Sequence, residues 1–252
     1  MRLMRLVAET DVVGNGEVTA ATVEPIPDEA SPLLELVTSA AYNVGRAHLA
    51  GFGVAEDVHA SEAWWLKAAR DGKGDRLAMY SLGLFYSTKQ RADPSDPFSV
   101  VPQNFEESYF WHKKAAESGH LVAGAAIGIM HQHGTGCKKD AEVALTWLKA
   151  AADKGCIEAQ GHLASHYYGL RLFNKCVQWA SRLDGLDLEL DSLSETASKS
   201  IALGLYIFGR CHERGKGAEK SRDEALRLYS KAAAVDQDVV YALRTQVLAG
   251  GL

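Results

Sequence analysis

The feature that most narrows what this chain can fold into is a ten-residue pattern that returns along its whole length. Val44-Gly45-Arg46-Ala47-His48-Leu49-Ala50-Gly51-Phe52-Gly53, Ile127-Gly128-Ile129-Met130-His131-Gln132-His133-Gly134-Thr135-Gly136 and Phe208-Gly209-Arg210-Cys211-His212-Glu213-Arg214-Gly215-Lys216-Gly217 all read apolar-Gly-x-x-His-x-x-Gly-x-Gly. Two shorter copies begin Leu82-Gly83-Leu84-Phe85-Tyr86 and Leu163-Ala164-Ser165-His166-Tyr167. Downstream of each copy comes a second signature rich in Lys or Arg and Ala, opened by Trp64, Trp111, Trp147, Trp179 or Leu228. The separations between the two signatures are 19, 28, 19, 15 and 19 residues. Such a period marks a repeat architecture, in which no unit buries its own apolar face and neighbours share a core.

Each unit reads as a helix, a glycine turn and a second helix. The Gly-x-Gly pairs suit helix ends where φ becomes positive and the chain reverses. Glycines inside the first helix, such as Gly45 and Gly209, cost about 1 kcal/mol each relative to Ala. They imply that a side chain there would hold the second helix away, with Ala68 and Ala69 as matching small residues and the tryptophans filling the core. All six prolines lie in the first 32 residues or between positions 94 and 102, outside the helices these patterns define. The 28-residue spacing therefore holds an inserted loop, and the 15-residue spacing lacks the Gly-x-Gly turn.

The expected fold is all-α, a right-handed α-solenoid of about five helix-turn-helix repeats. The units fall at about 39–72, 77–119, 122–155, 158–183 and 201–236, with a C-terminal capping helix at 238–248. Residues 1–32 carry six acidic and two basic side chains and read as a flexible acidic tail. Asp184 to Glu195, with five acidic side chains and no basic one, reads as a solvated loop.

Composition serves to exclude. Across 252 residues, 27 basic and 32 acidic side chains are scattered to a net charge of −5, which leaves no basic stripe for nucleic acid or anionic lipid. No run of roughly 18 apolar residues occurs, so no membrane insertion is expected. Glu9 and Asp11 interrupt the start before a secretory leader could form. The four cysteines form no CxxC pair and read as free thiols in a reducing, cytoplasmic setting.

The motif LGxxYxxGxGVxxD followed by WxxKAAxxG resembles the Sel-1-like repeat, a relative of the tetratricopeptide repeat; Val44 to Asp57 and Trp64 to Gly72 match it almost in full. A more specific resemblance is to the megalin-binding protein family of cytosolic adaptors. It is carried by Ala40-Ala41-Tyr42-Asn43-Val44-Gly45-Arg46-Ala47, Leu82-Gly83-Leu84-Phe85-Tyr86-Ser87-Thr88-Lys89, Tyr109-Phe110-Trp111-His112, Phe173-Asn174-Lys175-Cys176-Val177 and Tyr229-Ser230-Lys231-Ala232. The likeness runs from Ser39 to Asp236 and stops at the N-terminus, where that family is similar to a further pair of repeats. It implies a non-enzymatic scaffold or adaptor for a partner peptide, such as the cytoplasmic tail of an endocytic receptor. Oligomeric state stays open.

If the first helix of each unit lines a concave groove, positions three before, one after and four after the helix glycine face inward. These are Tyr42, Arg46 and Leu49; Tyr80, Leu84 and Ser87; Ala125, Ile129 and Gln132; Ser165 and Tyr168; and Tyr206, Arg210 and Glu213. Tyr and Arg are the residue types that dominate binding energy at interfaces; the bland alternative is that Tyr42, Tyr80 and Tyr206 pack against the adjacent unit. Charge reversal at Arg46 and Arg210 is expected to weaken binding without lowering the melting temperature.

A rival reading is a metal-dependent or thiol enzyme using His131, His133 and Cys137 or the i, i+4 pair His162 and His166. Against it, His48, His131 and His212 stand where Tyr86 and Tyr167 stand in other copies, so the repeat dictates them as packing residues. No HExxH, GxSxG elbow or GxGxxG after a strand occurs, and no metal or cofactor is expected.

Overall fold

A computed structural model describes residues 32–69, 74–88, 90–93, 96–187 and 193–249. The acidic segment preceding them, Gly72 and residues 188–192 of the polar stretch lie outside the described residues.

The described residues form eleven helices in two compact units, Met1–His120 and Leu121–Leu252. In the first unit α1 (Pro32–Ala50) and α2 (Val58–Ala69) make one hairpin, and α3 (Arg76–Ser87) and α4 (Phe105–Glu117) make another, with α2 packed on α3. The second unit continues with α5 (Leu121–His133) and α6 (Ala141–Asp153), α7 (Ile157–Gly169) and α8 (Phe173–Asp184), α9 (Glu195–Arg214) and α10 (Arg222–Val235), and ends with α11 (Gln237–Leu248). Pro32 opens α1, in the first turn, where its missing N–H would have no intrahelical partner.

The insertion expected as a loop carries structure of its own. Strands β1 (Gln90–Asp93) and β2 (Asp96–Val101) pair antiparallel, with Gln90 opposite Val101 and Arg91 opposite Val100. Pro97 is tolerated because a two-stranded ribbon has free edges.

The repeat signatures set the local geometry. Gly215 and Gly217 of the α9–α10 turn have φ of 63° and 74°, and Gly134 and Gly136 of the α5–α6 turn 78° and 68°. After the turn, Asp57, Asp140 and Ser221 stand at one repeat position and cap the second helix: Asp140 Oδ1 accepts from Glu142 N and Val143 N at 3.0 Å, and Ser221 Oγ from Glu224 N at 3.2 Å. The N–H of each cap residue in turn donates to the carbonyl of the repeat histidine: Asp57 to His48 at 3.0 Å, Asp140 to His131 at 2.9 Å and Ser221 to His212 at 3.1 Å. In α7–α8, which lacks the Gly-x-Gly, Arg171 takes the left-handed conformation at φ 59°.

A Cβ on Gly45 would lie 2.6 Å from Trp65, one on Gly128 2.6 Å from Leu148 Cγ, and one on Gly209 2.6 Å from Tyr229 Cε1. Close approach of the second helix is therefore the reason for these glycines. The facing residue is not an alanine but the one after the signature aromatic: Trp65, His112, Leu148 or Tyr229. One residue turns a helix by about 100°, which carries the signature position itself out of that contact.

The tightest crossing in the second unit is α7 on α9. There a Cβ at Gly161 would meet Ser200 O at 2.0 Å, and one at Gly204 would meet Gly161 Cα at 3.3 Å, besides Leu183 Cδ1 of α8 at 2.3 Å. The Ser200 hydroxyl donates to Glu158 O at 2.6 Å across the same contact. Around it Leu163, Leu183, Ile201, Leu205, Leu228 and the thiols of Cys176 and Cys211 are fully buried.

Candidate functional site

The inward register places its residues differently in the two units. On α1, Tyr42 is half-buried and its carbonyl accepts from Trp65 Nε1 at 3.2 Å. Arg46 is exposed, its guanidinium 5.9 Å from the Tyr42 ring centroid, and Leu49 is half-buried. On α3, Tyr80 stacks on His120 with ring centroids 4.3 Å apart and tilts against His112 at 5.5 Å. Leu84 is 38% exposed, and the Ser87 hydroxyl is spent on the Leu84 carbonyl at 2.7 Å. Tyr80 is thus a packing residue, while Arg46 and Leu84 face solvent.

In the second unit Ala125 is buried and Ile129 packs on the core. Gln132 and Ser165 are half-buried, and Gln132 Oε1 has no hydrogen-bond partner. The remaining members converge. Tyr168 from α7 and Tyr206 and Arg210 from α9 are all buried, Arg210 at 7% exposure, with Glu213 one turn further along α9.

Arg210 Nη1 donates to Glu213 Oε2 at 2.6 Å, and the Tyr229 hydroxyl of α10 donates to the same oxygen at 3.1 Å. Tyr206 and Tyr229 lie 5.0 Å apart between ring centroids, and Tyr168 accepts from Arg214 Nη1 at 3.3 Å. Arg210 Nε and Nη2 are buried and find no partner in the protein. Burial works against the Arg210 charge, but Tyr168 and the Glu213 carboxylate outweigh it and hold the guanidinium protonated. Burial and then Glu213 push the Tyr229 phenol up, and burial does the same to Tyr206, so both stay neutral hydroxyls.

The inward register did not include Tyr229. Its signal lay in the second signature: the residue after Leu228 is the one that covers a helix glycine, here Gly209, and that position sets it beside Arg210. The burial of Arg210 also corrects the expectation about charge reversal. At Arg46 a carboxylate would stand in water; at Arg210 it would be desolvated beside Glu213, and the fold itself would suffer.

The histidine clusters resolve into repeat architecture. His131 Nδ1 lies 3.1 Å from Lys138 O and His212 Nδ1 2.9 Å from Glu219 O, the same bond to the same turn in two copies. Burial, with His133 adding repulsion, lowers His162 to about 4, and burial lowers His166. Burial raises the Cys137 thiol, the opposite of an activated nucleophile. The contact with Cys211, at 3.9 Å between sulfurs, and burial push Cys176 up. Among the described residues no three His, Cys, Asp or Glu side chains gather to hold a metal, and no helix is long and apolar enough to cross a membrane.

Stacked hairpins with buried glycine crossings, capped turns and a buried Arg-Tyr cluster define a helical-repeat protein. The family model for the Sel1 repeat matches residues 38–73, 98–120, 123–156 and 202–236, and the chain belongs to the Sel1 repeat family. The α7–α8 hairpin, which lacks Gly-x-Gly, falls outside the matched segments, as does α3. Sel1 repeat proteins are generally protein-interaction scaffolds.

Among curated proteins, the chain is similar to the chitin synthase regulator SKT5 of Saccharomyces cerevisiae, 30% identical over 202 residues that cover 71% of this chain and 28% of that protein. It is also similar to chitin synthase regulatory factor 3 of Schizosaccharomyces pombe, 31% identical over 100 residues, 40% of this chain and 10% of the relative. The chain thus matches less than a third of the length of either relative. Among solved structures, a Sel1 repeat protein from Oxalobacter formigenes superposes with a TM-score of 0.65 at 23% identity, covering 83% of this chain and 76% of that one. The protective antigen c5321 of uropathogenic Escherichia coli gives 0.60 at 23% identity, covering 80% and 40%. These two show the solenoid fold alone.

Proposed function

We propose that the chain is a non-enzymatic, cytoplasmic scaffold or adaptor that holds a segment of a partner protein against the inward-register residues of its first helices. The observation that carries this reading is the Arg210 cluster, a buried guanidinium with two unpaired nitrogens among three tyrosines, which a repeat needs for neither its turn nor its crossing. The regulatory names of the curated relatives support an adaptor role. The repeat histidine spent on a turn carbonyl and the raised Cys137 thiol speak against catalysis. A finer reading takes the partner to be the cytoplasmic tail of an endocytic receptor, which the resemblance to the megalin-binding family supports; the yeast relatives support a partner in a synthase complex instead.

The test is affinity purification of the full chain from its source cell with mass spectrometry, beside the Arg46→Glu/Leu84→Glu variant. Both side chains are exposed, so the variant keeps its melting temperature. Loss of specific partners supports the inward register, and retention of every partner overturns it.

A further inference from the structure

An arginine presents its N–H groups on fixed edges. Nε–H and one N–H of Nη2 point the same way along one edge, within the plane, spaced to meet the two oxygens of a carboxylate. In Arg210 these are the two nitrogens that the fold leaves unpaired, while Nη1 on the opposite side is engaged by Glu213 at 2.6 Å. An unpaired buried donor is destabilising, more so when it is charged. Arg46, at the same repeat position, is solvated and carries no such edge.

We propose that the Nε/Nη2 edge of Arg210 receives the side-chain carboxylate of an Asp or Glu in a partner polypeptide, with Tyr229 as the ring that moves to admit it. This rests on the protein-binding reading above and names what the second unit recognises. Three observations select the ligand and the route. Tyr206 and Tyr168 are buried walls, whereas Tyr229 is partly exposed and is tied by its hydroxyl to Glu213 Oε2 at 3.1 Å, a residue itself 47% exposed. With Glu213 already on Arg210, a bound carboxylate leaves one net negative charge at the site and a dianion two, so a single charge is favoured over a dianion beside Glu213. Arg210 shares its site with Tyr168, Tyr206 and Tyr229, whose rings and hydroxyls suit a planar acid on a polypeptide stem.

The experiment is fluorescence anisotropy on the full chain with a short labelled, C-terminally amidated peptide of alternating Glu and Leu. The comparison probes are a peptide with every Glu replaced by Gln, the Gln peptide with a free C-terminal carboxylate, and the Gln peptide carrying one phosphoserine. The Glu peptide is expected to bind, and Arg210→Lys to weaken it about tenfold, since a lysine offers no paired edge. Tyr229→Phe frees the ring from Glu213 without touching the guanidinium and is expected to tighten the Glu peptide about threefold and leave the Gln peptide unchanged.

Equal binding of the Glu and Gln peptides overturns the proposal, as does preference for the phosphoserine peptide or for the free C-terminus. If Arg210→Lys fails to fold, the Tyr229→Phe comparison decides, and no tightening overturns the proposal. Partners that are lost with Arg46→Glu/Leu84→Glu but kept with a folded Arg210→Lys would leave the scaffold reading standing and this one fallen.

Discussion

Tyr42 and Arg46 in the first unit and Tyr206 and Arg210 in the second occupy the same repeat positions, three before and one after the helix glycine, yet their environments are opposite. Arg46 stands in solvent over the edge of its tyrosine, while Arg210 is buried among Tyr168, Tyr206 and Tyr229. The difference comes from the neighbours. α9 packs against α7, α8 and α10, whereas among the described residues α1 packs against α2. One repeat consensus thus produces a surface charge at one site and a desolvated charge at another, and only the second has unmet hydrogen-bonding capacity.

The comparison breaks most sharply under charge reversal. Arg210→Glu places a second carboxylate in a desolvated site beside Glu213 and should cost about 3–5 kcal/mol. Arg46→Glu should stay within about 0.5 kcal/mol. Urea unfolding of both variants checks the pair, and equal losses would show that burial does not separate them.

Glycine-to-alanine changes come next. At Gly161 the added methyl meets backbone, Ser200 O at 2.0 Å, so α7 and α9 must part, at about 3 kcal/mol or more. At Gly45 it meets the Trp65 side chain at 2.6 Å, which can shift, and about 1–2 kcal/mol is expected. Thermal melts of Gly161→Ala and Gly45→Ala rank the two crossings.

Acid should weaken both units through one desolvated histidine in each. Burial, with repulsion from His120, lowers His112 to about 4, and His162 is lowered to about 4 in the same way. Each stays neutral in the fold while the unfolded chain takes up a proton below its ordinary value of 6.5. Stability therefore falls as pH drops from about 6.5 toward 4, by at most about 1.4 kcal/mol per unit for each histidine. His112→Leu, which copies Leu148 at the equivalent position over Gly128, should flatten the His112 share of this slope and leave that of His162. Melting temperatures across that pH range measure it.

The smallest effect sharpens the contrast between turns. Arg171 holds φ 59° where other units use glycine, so Arg171→Gly should stabilise the second unit by about 0.5–1 kcal/mol in urea titrations. Gly215→Ala, at φ 63° with Lys220 Cβ 3.1 Å away, should destabilise it.

Most of the fold was legible because its determinants are local. A glycine at φ 63° after a helix, an Asp or Ser capping the next one, and a histidine whose carbonyl closes the turn all act within a dozen residues, so each leaves a mark at a constant spacing. The same logic placed His131 and His212 in the architecture rather than in a metal site. Residues distant in sequence leave no such mark. The fourth copy has Ala164 at the glycine position of the pattern, but the close approach to Ser200 falls one turn earlier, at Gly161, because α9 rather than α8 sets it. The inserted segment, whose prolines suggest a loop, closes into a hairpin by cross-strand hydrogen bonds that no periodicity announces.

By itself, the sequence determined the repeat class, the positions of the turns and the residues at each register position, since helix propensity, capping and the left-handed turn are properties of short segments. The tertiary structure decided which of two equivalent arginines loses its water. Burial depends on what the neighbouring helices bring to that point, and only folding brought Tyr168 and Tyr229 to Arg210 and its helix neighbour Glu213.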